Sequence, residues 1–237
     1  MKTIVSTAVA AAAVGAAAVG LAGTAAAGPL NDPAGLCNFH DNRGNCQVAA
    51  SGPSVNIDMV FPANDPQEQA IVDYLTTVQK DFNDNTSLGG LDDPKPMQEL
   101  DVTTTAYTSG TPKTGTQTTV LKVYQNEGGP YPQTYYKAFS YNNAAKAPIT
   151  FDALFRPGSQ PLDTILPIVQ DEMTHQAGQP ITIDPRVGLD PVNYQNFAIT
   201  DDAIIFFFDK NQLHPAYGDT QVSVPRNAVA AMLSAGL

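Results

Sequence analysis

The sequence predicts an α+β fold, a single mixed domain in which helices pack on an antiparallel, twisted sheet. Three observations predict it. Through the middle of the chain, apolar residues recur with period two in short runs parted by Gly- and Pro-rich turns. Two other stretches space their apolar residues by three and four, as amphipathic helices do. No repeat, long linker or block of like charge divides the 237 residues.

The chain opens with Lys2, an apolar run of Ala, Val and Gly from Ile4 to Leu21, and Ala25-Ala26-Ala27 before Gly28-Pro29. That order of cationic start, apolar run and small-residue site predicts a signal peptide over 1–27, cleaved after Ala27. A retained span fits less well, because the run is Ala/Gly-rich and no basic stop-transfer cluster follows it. The expectation is export, with no stable membrane anchor after cleavage, and a location outside the cell or associated with the wall. About 210 residues then remain, enough for one full core and a monomer.

The organisation expected of them is a disulfide-clipped segment at 28–54 and an α+β domain at 55–237. Cys37 and Cys46 are the two cysteines of the chain. In an oxidising compartment their pairing is the simplest outcome, since a redox C-x-x-C spacing and further metal-ligating neighbours are both missing.

Val55, Ile57, Met59 and Phe61 alternate with polar or small residues and predict a strand closed by Pro62. Asp65-Pro66 with Glu68 reads as a helix start, a carboxylate cap followed by proline at the first helical position. Ile71, Tyr74, Leu75, Val78 and Phe82 continue it on one apolar face through Asn83. Asn85 to Met97, rich in Gly, Asp and Pro, reads as a surface connector. Strands are predicted over Leu100 to Thr108, Thr118 to Gln125 and Thr134 to Tyr141, joined by Gly/Pro turns as an antiparallel meander. A second helical region begins at Ile149-Thr150-Phe151-Asp152 and continues through Leu162, Ile165, Val169 and Met173 to Gly178, with a break or kink expected near Leu166 because of Pro167. Asn196 to Thr200 and Ala203 to Asp209 read as strands meeting at Asp201-Asp202. The unbroken apolar run Ile204 to Phe208 predicts a central strand covered on both faces. A last strand at Val222 to Val224 and a short C-terminal helix through Leu233 complete the chain.

The formal net charge of -11 repels nucleic acid and anionic lipid, and excludes both as natural partners. No nucleophile elbow, H-E-x-x-H, phosphate loop or dinucleotide glycine run occurs. Asp184, Asp190, Asp201 and Asp202 match no calcium loop and read as turn residues beside Pro and Gly. His40, His175 and His214 read as surface histidines. No catalytic group, metal ligand or cofactor site is therefore assigned. The aromatic cluster Tyr124, Tyr131, Tyr135, Tyr136, Phe139 and Tyr141 is the strongest candidate for a binding surface, with Tyr131, Tyr135 and Tyr136 as its site residues. Tyrosine offers rigid contact area with one polar end. Alternation puts Tyr135, Lys137 and Phe139 on one face and Tyr136 with Ala138 on the other. Core packing and cross-strand pairing are the competing role for these rings.

Long segments also carry a resemblance. They include Val120-Leu121-Lys122-Val123-Tyr124-Gln125-Asn126, Tyr136-Lys137-Ala138-Phe139, Pro148-Ile149-Thr150-Phe151-Asp152, Gly188-Leu189-Asp190-Pro191-Val192-Asn193-Tyr194-Gln195-Asn196-Phe197-Ala198, Ile205-Phe206-Phe207-Phe208 and Gln221-Val222-Ser223-Val224-Pro225-Arg226. In this order they resemble the mycobacterial MPT/MPB-type secreted immunogenic antigens over nearly the whole exported chain. The C-terminal part of that family is similar to the extracytoplasmic domain of the lysozyme-sensing anti-sigma factor RsiV. The resemblance implies a secreted domain, recognised by host immunity in some members of the family, with no settled biochemical activity. A non-catalytic interaction with an extracellular protein or cell-wall component is the leading expectation. Esterase activity proposed for close relatives makes a serine-type carboxylesterase with a non-standard site the alternative, and no motif residue transfers a catalytic group.

Overall fold

A computed structural model describes residues 36–87, 96–215 and 217–237. The expected leader at 1–27 and positions 88–95 of the expected connector lie outside the described residues.

The strands form two sheets. The larger runs in sequence order: β1 (Phe39–His40), β2 (Asn45–Ser51), β3 (Val55–Pro62), β4 (Gln98–Ser109), β5 (Thr116–Asn126), β6 (Gln133–Asn142) and β7 (Ala147–Pro148). The smaller holds β8 (Phe197–Ile199), β9 (Ala203–Phe208) and β10 (Thr220–Pro225), with β9 in the middle. All pairs are antiparallel except β3 and β4, which run parallel. The long helix α1 (Glu68–Ser87) connects those two strands. A parallel pair needs such a crossover, because a tight turn would reverse the chain.

These sheets make the inner two of four layers. Ile71, Leu75 and Phe82 of α1 are fully buried against Met59, Leu100, Val102, Leu121 and Val123 on one face of the large sheet. Burying side chains of this size contributes about 1.5–3 kcal/mol each. On the other face, Val120, Tyr107, Tyr136 and Ala138 meet Ala198, Ile205 and Phe207 of the small sheet. The far side of the small sheet, through Ile204, Phe206 and Phe208, packs against α2 (Phe151–Leu154) and α3 (Pro161–Ala177). Ile204 to Phe208 thus needs no alternation, as both faces of β9 are covered. Two short helices, α4 (Pro185–Gly188) and α5 (Arg226–Val229), flank this layer.

Four features differ from the sequence reading. The second helical region, expected to run on from Ile149 to Gly178, is split into α2 and α3, and residues 155–160 between them are not helical. The disulfide-clipped segment contributes strands that the sequence reading leaves unassigned: β2 pairs with β3 over its whole length and buries Cys46 and Val48. Helix α1 runs on to Ser87 rather than ending near Asn83. The break expected near Leu166 does not occur: α3 continues through Pro167. Pro167 is exposed, as is Asp163 one turn earlier. The carbonyl that loses its partner can therefore be solvated, and the ring displaces no core side chain.

Candidate functional site

The β5–β6 connection carries the most exposed aromatic residue among the described large apolar side chains, Tyr131, at 78% exposure. Its turn depends on Gly128, which has φ of +84° and donates its N–H to Asn126 Oδ1 at 2.9 Å. A Cβ there would come within 2.7 Å of Pro96 Cγ, so glycine is required for conformation and for space. Gln133 Nε2 donates to the Tyr131 carbonyl at 3.1 Å and fixes the end of the loop.

Beneath Tyr131 lies a cleft of about 370 Å³ lined by Gln125, Glu127, Pro130, Gln133 and Tyr135. Its floor is a hydrogen-bonded chain. Tyr135 Oη donates to Gln125 Oε1 at 2.8 Å, Gln125 Nε2 donates to Glu127 Oε1 at 2.6 Å, and Asn85 Nδ2 reaches the same oxygen at 2.8 Å. Burial, followed by the charges of Asp209, Asp81 and Glu127, pushes the Tyr135 phenol up to about 12. It stays protonated and serves as a donor at physiological pH.

Tyr136 does not join this cleft. Successive residues of a strand point to opposite faces, and Tyr136 turns toward the small sheet, its ring centroid 5.4 Å from that of Phe207. Its hydroxyl donates to Asp219 Oδ2 at 2.8 Å, and Lys122 Nζ reaches the same oxygen at 2.8 Å. Burial, then the hydrogen bond to Asp219, pushes the Tyr136 phenol up. Asp219 is itself desolvated, yet the hydrogen bonds from Lys122 and Tyr136 and the Lys122 charge hold it below the usual carboxylate range. This group ties the two sheets together. Of the three tyrosines singled out in the sequence, the fold brings Tyr131 and Tyr135 together and sends Tyr136 elsewhere.

A second concavity was not anticipated. A largely apolar cleft of about 540 Å³ lies between α2, the start of α3 and the Leu189–Pro191 turn, with Phe155, Leu162 and Leu189 in its walls and Arg156 and Ser159 at its rim. Leu189 and Val192 are exposed in this region. The stretch between α2 and α3, read in the sequence as part of one helical region, forms this wall as a non-helical connection, and no local pattern encodes its shape. Ser159 Oγ donates to the Arg156 carbonyl at 2.7 Å.

The remaining candidates have identifiable surroundings. Cys37 and Cys46 form a disulfide, with His40 Nε2 3.7 Å from Cys37 Sγ. Asp184 and Asp190 accept from Arg186 N and Val192 N as helix caps, and Asp201 accepts from Gly110 N at 2.7 Å. His175 is exposed on α3, and His214 lies after β9 with a buried, unpartnered Nδ1. Among the described residues no three His, Cys, Asp or Glu side chains are grouped as a metal site. Among them also, no helix is long and apolar enough to cross a membrane.

Comparison with known proteins identifies the family. The family described as "Protein of unknown function (DUF3298)" matches residues 152–227. The immunogenic proteins MPT64 of Mycobacterium tuberculosis and MPB64 of Mycobacterium bovis are each 44% identical to the chain over 193 residues, spanning 80% of it and 82% of their own lengths. The chain belongs to the MPT64/MPB64 family. A further relative of this family member, "Esterase Rv3036c" of M. tuberculosis, is 46% identical over 205 residues, covering 86% of the chain and 89% of that protein. Crystal structures of DUF3298 proteins from Pseudomonas aeruginosa and Bacteroides fragilis share the fold, with TM-scores of 0.54 and 0.51. Their identities to this MPT64/MPB64 relative are 14% and 13%. Each covers 81% of its chain, and the match spans 94% and 93% of theirs.

Proposed function

We propose that this MPT64/MPB64-family protein is an exported, non-catalytic binding domain that engages an extracellular protein or cell-wall component through the cleft under Tyr131. The single observation that carries the reading is an aromatic side chain held out in solvent over a hydrogen-bonded cleft, where desolvating it on binding is favourable. The leader expected at 1–27 and the disulfide support export. The names of the MPT64 and MPB64 relatives support exposure to host immunity. The test is capture of partners from culture medium and host extracellular extract by wild-type and Tyr131→Ala protein. Capture that is saturable and is lost in the variant supports the reading. Equal capture by the two proteins, or none at micromolar concentration, refutes it.

A second reading, ester hydrolysis, is favoured by the 46% identity to a protein named as an esterase. The cleft beside Ser159 is the concavity suited to an acyl chain. Against it, no serine hydroxyl among the described residues is hydrogen-bonded to a histidine, and the Ser159 hydroxyl is engaged by a backbone carbonyl. Turnover of a short-chain nitrophenyl ester that is abolished in Ser159→Ala, with organophosphonate labelling of Ser159, would establish this reading over the first.

A further inference from the structure

The two long strands that flank β5 have outer edges with opposite treatment. The β5–β6 register continues past the strand ends, with Asn143 N–H donating to the Gly115 carbonyl. In an antiparallel ladder the hydrogen-bonding direction alternates by residue, so the odd-numbered residues of β5 bond to β6 and the even-numbered ones to β4. Carried through the pairs Thr118 with Tyr107 and Val120 with Thr105, this parity makes Thr105 and Tyr107 bond to β5. It turns the N–H and C=O of Thr104, Ala106 and Thr108 to the outer edge of β4. Gln98, of the same parity, does donate outward, to Ser54 O at 2.8 Å.

On β6 the corresponding edge groups are closed one by one. Thr134 O accepts from Lys210 N, Tyr136 N donates to Asp209 Oδ1, and Ser140 O accepts from Ile149 N. Asn196 imitates a neighbouring strand, with Nδ2 donating to Tyr136 O at 2.9 Å and Oδ1 accepting from Ala138 N at 3.1 Å. On β4 the pairing with β3 stops at Met59 opposite Val102. The Thr104 hydroxyl then takes the Val60 carbonyl, and β3 leaves at Pro62. Beyond that point, no described residue bonds the outward backbone of Ala106 or Thr108. Both residues are exposed. The stretch Thr103 to Thr108 carries no charge and no proline, the usual protections of an open edge.

A slot of about 340 Å³ adjoins this edge, lined by Ala106 and Thr108 of β4, by Gln117 and Thr119 of β5, and by Pro62 and Asp65. We propose that the outer edge of β4 from Thr104 to Thr108 is a second binding site, which takes an extended segment of another protein as an added strand. Alternating outward donors and acceptors are complemented by one more strand backbone and by no compact ligand. Pairing with the same edge of a second copy would set no basic residue against Asp65, since Thr103 to Thr108 carries no charge. Asp65 is the one carboxylate in the slot. Its Oδ1 accepts from Gln67 N at 2.7 Å and its Oδ2 from the Thr119 hydroxyl at 2.5 Å, which holds it in place for a basic residue on the incoming strand. The site lies about 20 Å along the sheet from the Tyr131 end, six residues at strand rise, and does not rest on the function proposed for that cleft.

The probe is the peptide acetyl-Lys-Thr-Val-Thr-Val-Thr-Val-Lys-amide, with a twin N-methylated on three central residues so that neither backbone edge can pair. Without peptide, the Ala106 and Thr108 amides should exchange with solvent faster than those of Thr105 and Tyr107. With peptide, saturable shifts should centre on residues 104–108, and exchange at Ala106 and Thr108 should slow at least about tenfold. The twin should bind at least about tenfold more weakly to the unaltered protein. Ala106→Pro removes an outward donor while keeping the β4–β5 ladder, as an edge strand tolerates, and should weaken binding to the same extent. Asp65→Asn keeps the helix cap and should weaken the lysine peptide most at low salt, while Tyr131→Ala should leave its affinity unchanged. The proposal is overturned by absence of saturation up to about 1 mM, by equal binding of the twin, or by protection that maps to another edge or to the Tyr131 loop.

Discussion

Replacing Asn196 by Ala isolates one of the contacts that join the two sheets at the β6 edge. The side chain makes two hydrogen bonds, to Tyr136 O at 2.9 Å and from Ala138 N at 3.1 Å. Its removal leaves one backbone acceptor and one backbone donor in a partly buried seam. Each unsatisfied group costs about 1–3 kcal/mol, and partial access of water puts the sum near 2–4 kcal/mol. Asn196→Asp separates the two bonds. The acceptor for Ala138 N survives, while the donor to Tyr136 O is replaced by a carboxylate oxygen facing a carbonyl. That carboxylate has its folded-state pKa raised above the unfolded value, so its destabilisation is complete above the folded pKa and is relieved as pH falls toward the unfolded one. Equilibrium urea unfolding at pH 7 and pH 4 measures both variants. The reasoning is refuted if Asn196→Ala shifts stability by less than about 0.5 kcal/mol, the range of an ordinary surface change, or if the Asp variant is no better at pH 4.

Further expectations come from the same layers. Burial, with repulsion from Asp219 as a lesser cause, raises the Asp209 pKa against the opposing hydrogen bond from Tyr136 N. The folded state therefore keeps a proton that the unfolded chain has released, and stability is lost as pH rises from the unfolded value through the folded one. Asp209→Asn should raise the urea midpoint at pH 7, with the gain shrinking toward pH 3; a lower midpoint at pH 7 contradicts the assignment. Cys37→Ser opens the disulfide-closed loop and should cost up to about 3 kcal/mol by chain entropy, matched by adding reductant to the wild type. Gly128→Ala faces both a positive φ and the contact with Pro96, so a loss of about 1–3 kcal/mol should accompany displacement of the Tyr131 loop, visible as amide shifts at residues 127–133.

Much of the fold was legible because its layers impose different periods. Period two located the β4–β6 meander and separated Tyr135 from Tyr136, and the uniform run Ile204 to Phe208 announced a strand covered on both sides. The cap at Asp65 and the face from Ile71 to Phe82 located α1. What escaped depended on partners distant in sequence. The Cys46/Val48 alternation of β2 is short, and its strand is completed only by pairing with β3. Pro167 was read by its local cost, which exposure of the helix face at Asp163 removes. The edge role of Asn196 and the open edge at Ala106 are properties of registers, and no local pattern carries them. For the candidate site, the tyrosines were visible as a group, but only the turn geometry at Gly128 decides which of them reaches solvent.

The most direct test of the binding reading is photo-crosslinking from the site itself. Benzoylphenylalanine placed at position 131 should give a saturable adduct with one component of the extracellular mixture, competed by excess unlabelled wild type. The same group at Gln221, exposed on β10, should give no such adduct. Adducts equally abundant and uncompeted at the two positions would contradict the account.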